Sequence, residues 1–333
     1  MTHTIGVLGS GSWGTALAVH LSRTGHDVRL WARDPALAAQ MAAARANGIY
    51  LPGIELPPSL QPTSEIAAAV TGAEFVVMAV PSHGMRTVMR AAGPYLAAGC
   101  TLVSATKGLE EGSLLRMSEV MRAEGPAQIE MVVLSGPSFA IELARELPTA
   151  MVAAGESPAA VEMIQAHFRS QALRLYGSSD VAGVEIGGAL KNIIAIAAGV
   201  VEGLGLGHNA LAALITRGLA ELSRLAVALG AQRDTLSGLA GLGDLVLTCT
   251  GNLSRNRQLG MALARGESLA QVLARTRMVA EGVRTTEAAL ALGALHGIEL
   301  PIAQAMSDVL AGRSDPQAAI RNLMGRKQKL EHA

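Results

Sequence analysis

The stretch Thr4-Ile5-Gly6-Val7-Leu8-Gly9-Ser10-Gly11-Ser12-Trp13-Gly14-Thr15-Ala16 decides the fold. An apolar run of strand length meets a glycine-rich turn, and a helix-forming run begins at once. Gly9, Gly11 and Gly14 have the G-x-G-x-x-G spacing. Each glycine has a physical task. Gly9 permits the tight strand-to-helix turn, Gly11 lets a pyrophosphate approach the backbone, and Gly14 lets helix and strand pack closely. The helix start then offers backbone N–H groups and the positive end of its dipole to phosphates. The spacing alone is weak evidence. Its place between a strand pattern and a helix pattern is the context that dinucleotide binding requires.

Working outward, Asp27 to Ala32 reads as a second strand. A dinucleotide fold commonly places an acidic residue after it, to bond the ribose of NAD. Here Arg33 follows, and a guanidinium there suits the 2′-phosphate of NADP, with NAD still open. Pro35 to Ala46 reads as a helix, and Tyr50 to Pro62 as an irregular Pro-rich loop. Further runs, Glu74–Ser82, Thr101–Gly108 (strand then turn), Met131–Ser135, Thr149–Ala154 and Leu173–Gly177, alternate with helical patterns. That alternation predicts a doubly wound parallel sheet of Rossmann type. Strand runs end near residue 186 and helical runs continue, so the boundary falls there: a dinucleotide-binding domain over 1–186 and an all-helical domain over 187–333.

Composition narrows the class. Half of the 333 residues are hydrophobic and only 2% are aromatic, so the core must consist of Ala, Leu, Val, Ile and Met. Formal net charge is zero and the one basic cluster is terminal, which argues against a nucleic-acid partner. Two cysteines, Cys100 and Cys249, give neither metal spacing nor a disulfide framework, in keeping with a reducing cytoplasm. The N-terminal run lacks the basic flank of a signal peptide, and the apolar run Ile193–Val201 is too short to span a bilayer. Gly199 and Gly203 read as a close helix crossing in a core.

Chemistry concentrates at a few positions. Lys107 ends a strand and can contact a phosphate or a carbonyl. The turn Gly136-Pro137-Ser138 offers N–H groups and a hydroxyl to a ligand. Lys191 is a cation in an otherwise apolar helix, Gly188 to Ala195, where a charge implies a partner or a task. With Asp244 as the candidate partner, it can serve as a general acid on a carbonyl oxygen. Ser254, Arg255 and Asn256, at a helix start, suit a phosphate monoester.

Taken together, Gly9 to Thr15, Lys107-Gly108, Gly136 to Ala140, Gly188 to Ala195, Gly243-Asp244 and Ser254-Arg255-Asn256 resemble the bacterial type of the NAD(P)-dependent glycerol-3-phosphate dehydrogenase family. They follow the family's order over nearly the whole chain. The resemblance implies reduction of dihydroxyacetone phosphate to sn-glycerol 3-phosphate, for glycerophospholipid synthesis, with NADP or NAD. It implies Lys191 as proton donor and acceptor. It implies substrate contacts from Lys107, Gly136, Ser138, Lys191, Asp244, Ser254, Arg255 and Asn256. It implies cofactor contacts from Ser12, Trp13, Arg33, Lys107, Ala140, Arg255, Val279 and Glu281, beside Gly9, Gly11 and Gly14. Ala280 departs from the bulkier apolar residue expected there. The helical domain is similar to that of 6-phosphogluconate dehydrogenase, a homodimer is expected, and no metal is. Two rivals share parts of the pattern: a hydroxy-acid dehydrogenase of the 3-hydroxyisobutyrate type, and a non-catalytic NADP-binding sensor.

Overall fold

A computed structural model describes residues 2–127, 129–275, 281–328 and 330–331. Its strands form one eight-stranded sheet in the order β3-β2-β1-β4-β5-β6-β7-β8. These are β1 (Thr4–Leu8), β2 (Asp27–Trp31), β3 (Leu60–Thr63), β4 (Phe75–Met78), β5 (Thr101–Ser104), β6 (Glu130–Ser135), β7 (Thr149–Gly155) and β8 (Leu173–Ser178). All pairs are parallel except β6 with β7. The sheet is therefore mixed, where the sequence pattern predicts a wholly parallel one. The loop Tyr50–Pro62, expected to be irregular throughout, delivers an edge strand at Leu60, whose partner is Val28. Pro62 is tolerated because an edge strand has one side without a ladder.

Helices cover both faces of the sheet. On one face Ile5, Val7 and Val77 share a buried cluster with Leu17 and Leu21 of α1 (Ser12–Arg23), Met41 of α2 (Pro35–Ala44), Leu143 of α6 (Ala140–Ala144) and Ile164 of α7 (Pro158–Phe168). On the other, Leu8, Val76 and Met78 meet Val70 of α3 (Ile66–Val70), Met85 and Met89 of α4 (Met85–Ala92), and Met121 of α5 (Met117–Glu124). Successive strand residues thus point to opposite, equally apolar faces, as in sheets buried on both sides. Aromatics are few, and Phe75 and Phe168 meet edge-on at 5.7 Å inside the first cluster.

Contacts divide the chain into two compact units. The first holds residues up to Gly188 together with Ala231–Asp244, and the second holds Ala189–Gly230 and Leu245 onward. The segment 231–244, expected in the helical half, joins the first unit because its turn Leu239–Gly243 packs on β7. Helix α8 (Val181–Gly203) runs from one unit into the other. It is long and apolar enough to cross a bilayer, yet its most apolar window is wholly buried in the protein. The second unit also contains α9 (Gly207–Ala228), α12 (Arg255–Ala264), α13 (Leu269–Arg275), α14 (Glu281–His296), α15 (Pro301–Leu310) and α16 (Pro316–Met324). The short α10 (Arg233–Ser237) lies in the first unit, and α11 (Asp244–Thr250) starts at that unit's last residue.

Gly199 and Gly203 form the close helix crossing expected of them. A Cβ on Gly199 would strike the Arg257 carbonyl oxygen of α12, and one on Gly260 would strike the Ile196 carbonyl oxygen. Helix starts use a recurring device. Asp34, Ser157 and Asp315 each cap a helix whose first residue is a proline, with the side-chain oxygen accepting a backbone N–H. Helix α15 also begins with proline, but Leu300 before it has no acceptor. Glu221 of α9 supplies the cap from a distance, its two oxygens accepting Ile302 N and Ala303 N at 2.9 Å each.

Burial pushes the Glu221 carboxyl up to about 6, the two N–H bonds opposing only part of that rise. The fold therefore favours the protonated form. The associated stability is complete below the ordinary carboxyl value of 4.5 and is lost as pH rises through about 6. The expected loss is about 2 kcal/mol between those limits. Denaturant unfolding of the protein and of Glu221→Gln at intervals from pH 4 to 7 measures it. The variant should lack that component of the slope, and parallel curves would exclude it.

Candidate active site

Because β2, β1, β4, β5 and β6 run parallel, the loops after them emerge on one edge of the sheet. Arg33 follows β2, the glycine turn follows β1, Pro81-Ser82 follows β4, Lys107 follows β5, and Gly136 follows β6. Five neighbouring strands at their usual spacing span roughly 19 Å, enough for an extended dinucleotide. The chain runs from β1 through β2 to β3 on one side and then crosses from β3 to β4 on the other, so the switch point lies between β1 and β4. That is where open α/β sheets take their ligands.

The turn has the form its glycines imply. Gly9 sits at φ +120°, and a Cβ there would lie 2.5 Å from the Ala79 carbonyl oxygen. A Cβ on Gly14 would strike the Gly9 carbonyl oxygen. Gly11 differs, since a Cβ there would meet nothing within 4 Å. It is the N-cap of α1, with no side-chain cap and no acidic residue in the first turn. An open cradle and a helix start without an acidic residue fit a pyrophosphate. Trp13 of α1 and Ala140, which opens α6, both pack partly buried against the first core cluster. Arg33 is exposed just past β2, beside Asp34, which is occupied in capping α2.

On the β5 and β6 side, four of the expected residues form one connected group. Lys107 Nζ donates to the Gly136 carbonyl oxygen at 3.1 Å and to Asp244 Oδ2 at 2.5 Å. Ser138 Oγ donates to the same Gly136 oxygen at 3.0 Å. Gly136 has φ +137°, a conformation that a side chain would strain. The Asp244 carboxylate is nearly inaccessible, whereas Lys107 keeps 21% exposure. The sequence reading assigned Asp244 to Lys191, and the Lys107 pair is an addition to it. Thr106 was missed altogether. Its hydroxyl meets the Met78 and Val80 carbonyl oxygens and ties the β5 loop to the β4 loop.

The second unit holds the remaining candidates. Lys191 lies in buried α8, and its Nζ donates to Thr248 Oγ1 of α11 at 2.8 Å. Pairing of Lys191 with Thr248 across 57 positions leaves no local signal in the sequence. Ser254 caps α12 by accepting Arg257 N, and Asn256 Oδ1 accepts Gly282 N. Arg255 alone of the three is exposed. Crowding by protein nonetheless lowers its guanidinium from the usual range, and the Glu281 carboxylate opposes that. Arg257, next in line, pairs with Glu202 and Asn252. Val279 and Ala280 lie outside the described residues.

A glycine turn fitted to a pyrophosphate, a row of polar loops along one sheet edge and a buried lysine define a nicotinamide-dependent oxidoreductase of Rossmann type. Comparison with known proteins narrows the class. Residues 4–161 match the N-terminal domain of NAD-dependent glycerol-3-phosphate dehydrogenase, and residues 180–321 match its C-terminal domain. The chain is 51% identical to glycerol-3-phosphate dehydrogenase [NAD(P)+] of Geobacter sulfurreducens and 47% identical to that of Koribacter versatilis, covering 99% and 98% of the respective chains. The crystal structure of glycerol-3-phosphate dehydrogenase from Coxiella burnetii superposes with a TM-score of 0.94 at 41% identity, with 98% of this chain and 99% of that one covered. The chain belongs to the NAD-dependent glycerol-3-phosphate dehydrogenase family.

The Lys107–Asp244 pair makes a measurable claim. Lys107→Met should destabilise by about 1–3 kcal/mol, because a buried carboxylate loses its cation. Asp244→Asn added to that variant should cost less than it does alone. A double-mutant cycle by denaturant unfolding reads the coupling, and strictly additive losses would remove the pair's role.

Proposed function

We propose that the protein reduces dihydroxyacetone phosphate to sn-glycerol 3-phosphate with NADPH or NADH, providing the backbone for glycerophospholipids. The observation that carries this reading is the buried Lys191 ammonium held to Thr248, in a chain of this family. When bound, the nicotinamide supplies the hydride that reaches the carbonyl carbon. Lys191 donates a proton to the carbonyl oxygen as negative charge develops there, and takes it back in the reverse direction. Thr248 holds the Lys191 side chain in place, limiting the rotamers it samples.

In this reading Arg255 carries most of the charge recognition of the substrate phosphate, since a guanidinium offers paired donors. Ser254 and Asn256 accept backbone N–H groups with their oxygens, so they meet the phosphate as donors, through the hydroxyl hydrogen and the amide NH2. Lys107, Gly136, Ser138 and Asp244 form the polar floor beside the substrate. The cofactor lies along the sheet edge, with its pyrophosphate on the turn Gly9–Gly14, including Ser12 and Trp13, and its 2′-phosphate or ribose at Arg33. Lys107, Ala140, Arg255, Val279 and Glu281 complete its contacts. We place the protein in the cytoplasm, with both free cysteines buried, and as a homodimer, for which the exposed Leu206 and Leu253 offer apolar contact area. Family membership supports this reading over a hydroxy-acid dehydrogenase or a sensor.

NADPH oxidation followed spectrophotometrically with dihydroxyacetone phosphate, against phosphate-free dihydroxyacetone and 3-hydroxyisobutyrate, tests the assignment. Lys191→Ala should lower kcat by more than about a hundredfold, the scale for losing a general acid. NADPH should still bind, and a near-normal kcat would exclude the role. Arg33→Ala should weaken NADPH more than NADH, and equal losses would show that Arg33 does not read the 2′-phosphate.

A further inference from the structure

Asn47, in the loop after α2, is completely buried, which is unusual for an amide side chain. Its Nδ2 donates to the Ser10 carbonyl oxygen and to Thr15 Oγ1, both at 2.9 Å. The Thr15 hydroxyl donates to that same Ser10 oxygen at 3.2 Å. Asn47 Oδ1 accepts Tyr50 N at 3.1 Å, and its own carbonyl accepts Leu51 N at 2.9 Å. Every polar group of Asn47's amide is therefore engaged, and two side chains converge on one carbonyl of the glycine turn.

That convergence has a geometric consequence. The Ser10–Gly11 peptide is trans, and in a trans peptide C=O and N–H point in opposite directions. Drawing the Ser10 oxygen into the interior turns the N–H of the next residue, Gly11, away from the interior. Gly11 is the N-cap of α1 and has open space where a Cβ would be. A loop that needed only to be tied to α1 could be held through Thr15 alone. The bonds to Ser10 also fix the orientation of the Ser10–Gly11 peptide plane.

We propose that Asn47, acting with Thr15, is a positioning residue for the cofactor, setting the Ser10–Gly11 peptide so that the Gly11 N–H faces the pyrophosphate. This rests on the reading that a dinucleotide occupies the turn. The test separates the phosphate-bearing part of the ligand from the rest. Displacement of NADPH fluorescence by ADP and by adenosine is measured for the wild-type protein, Asn47→Asp, Thr15→Val and Thr15→Ser. Asn47→Asp keeps the shape and the acceptor for Tyr50 N but presents an oxygen where the amide donated. Thr15→Val keeps the shape without the hydroxyl, and it carries the test if the buried carboxylate of Asn47→Asp prevents folding.

The expected result is about a tenfold loss of ADP affinity in Asn47→Asp and Thr15→Val, with adenosine affinity held within about twofold. Thr15→Ser should restore ADP binding, and the KM for dihydroxyacetone phosphate should move less than that for NADPH. Equal weakening of ADP and adenosine would show that Asn47 only supports the fold. Unchanged ADP affinity would overturn the proposal as well. A wild-type protein that binds ADP no better than adenosine would instead overturn the placement of the pyrophosphate on which the proposal rests.

Discussion

Parallel pairing of β1 with both β2 and β4 is the constraint on which the rest depends. Together with the parallel β4–β5 and β5–β6 pairs it places the carboxyl ends of five strands on one edge, and with them Arg33, the glycine turn, Lys107 and Gly136. None of these residues is near another in sequence beyond its own loop. They share an edge because the ladder allows only one direction for each of these strands. Crossover helices of the doubly wound sheet then cover both faces, so the edge is where polar groups can remain accessible.

Much of this was legible because it is local. The strand, glycine turn and helix at Thr4–Ala16 carry their signal within thirteen residues, and the alternation of apolar runs with helical ones reports a wound sheet. What escaped was set by partners far along the chain. Strand β3 is four residues with a proline in it, and only its pairing with β2 makes it a strand. The antiparallel direction of β7 is decided by the route of the chain between strands, to which an apolar run is blind. Segment 231–244 reads as helical by composition, yet packing of its turn on β7 assigns it to the sheet unit.

The same contrast holds for the candidate site. Residue types and loop positions pointed to Lys107, Gly136, Ser138, Lys191, Asp244 and Ser254 to Asn256, because cations and hydroxyls at strand ends and helix starts can meet phosphates and carbonyls. Their pairings were not legible. Lys107 meets Asp244 across 137 positions, and Lys191 meets Thr248 across 57. Glu221 caps α15 from 81 positions away, and nothing around Glu221 in sequence announces a cap.

A binding turn made of backbone N–H groups raises a further physical requirement. Glycines supply the freedom to adopt the turn, but freedom alone leaves its peptide planes undetermined, and ordering them on binding would cost affinity. The direction has to be imposed from behind, by groups that do not touch the ligand. Buried amides and hydroxyls suit that task, since an unsatisfied donor in the interior is costly and each geometry that satisfies it is narrow. Asn47 and Thr15 meet those conditions at Ser10, and Thr106 meets them at the β4 and β5 loops. The glycine spacing that reveals the turn is therefore only half of the device. The half that orients it lies in side chains whose importance appears only once the chain is folded.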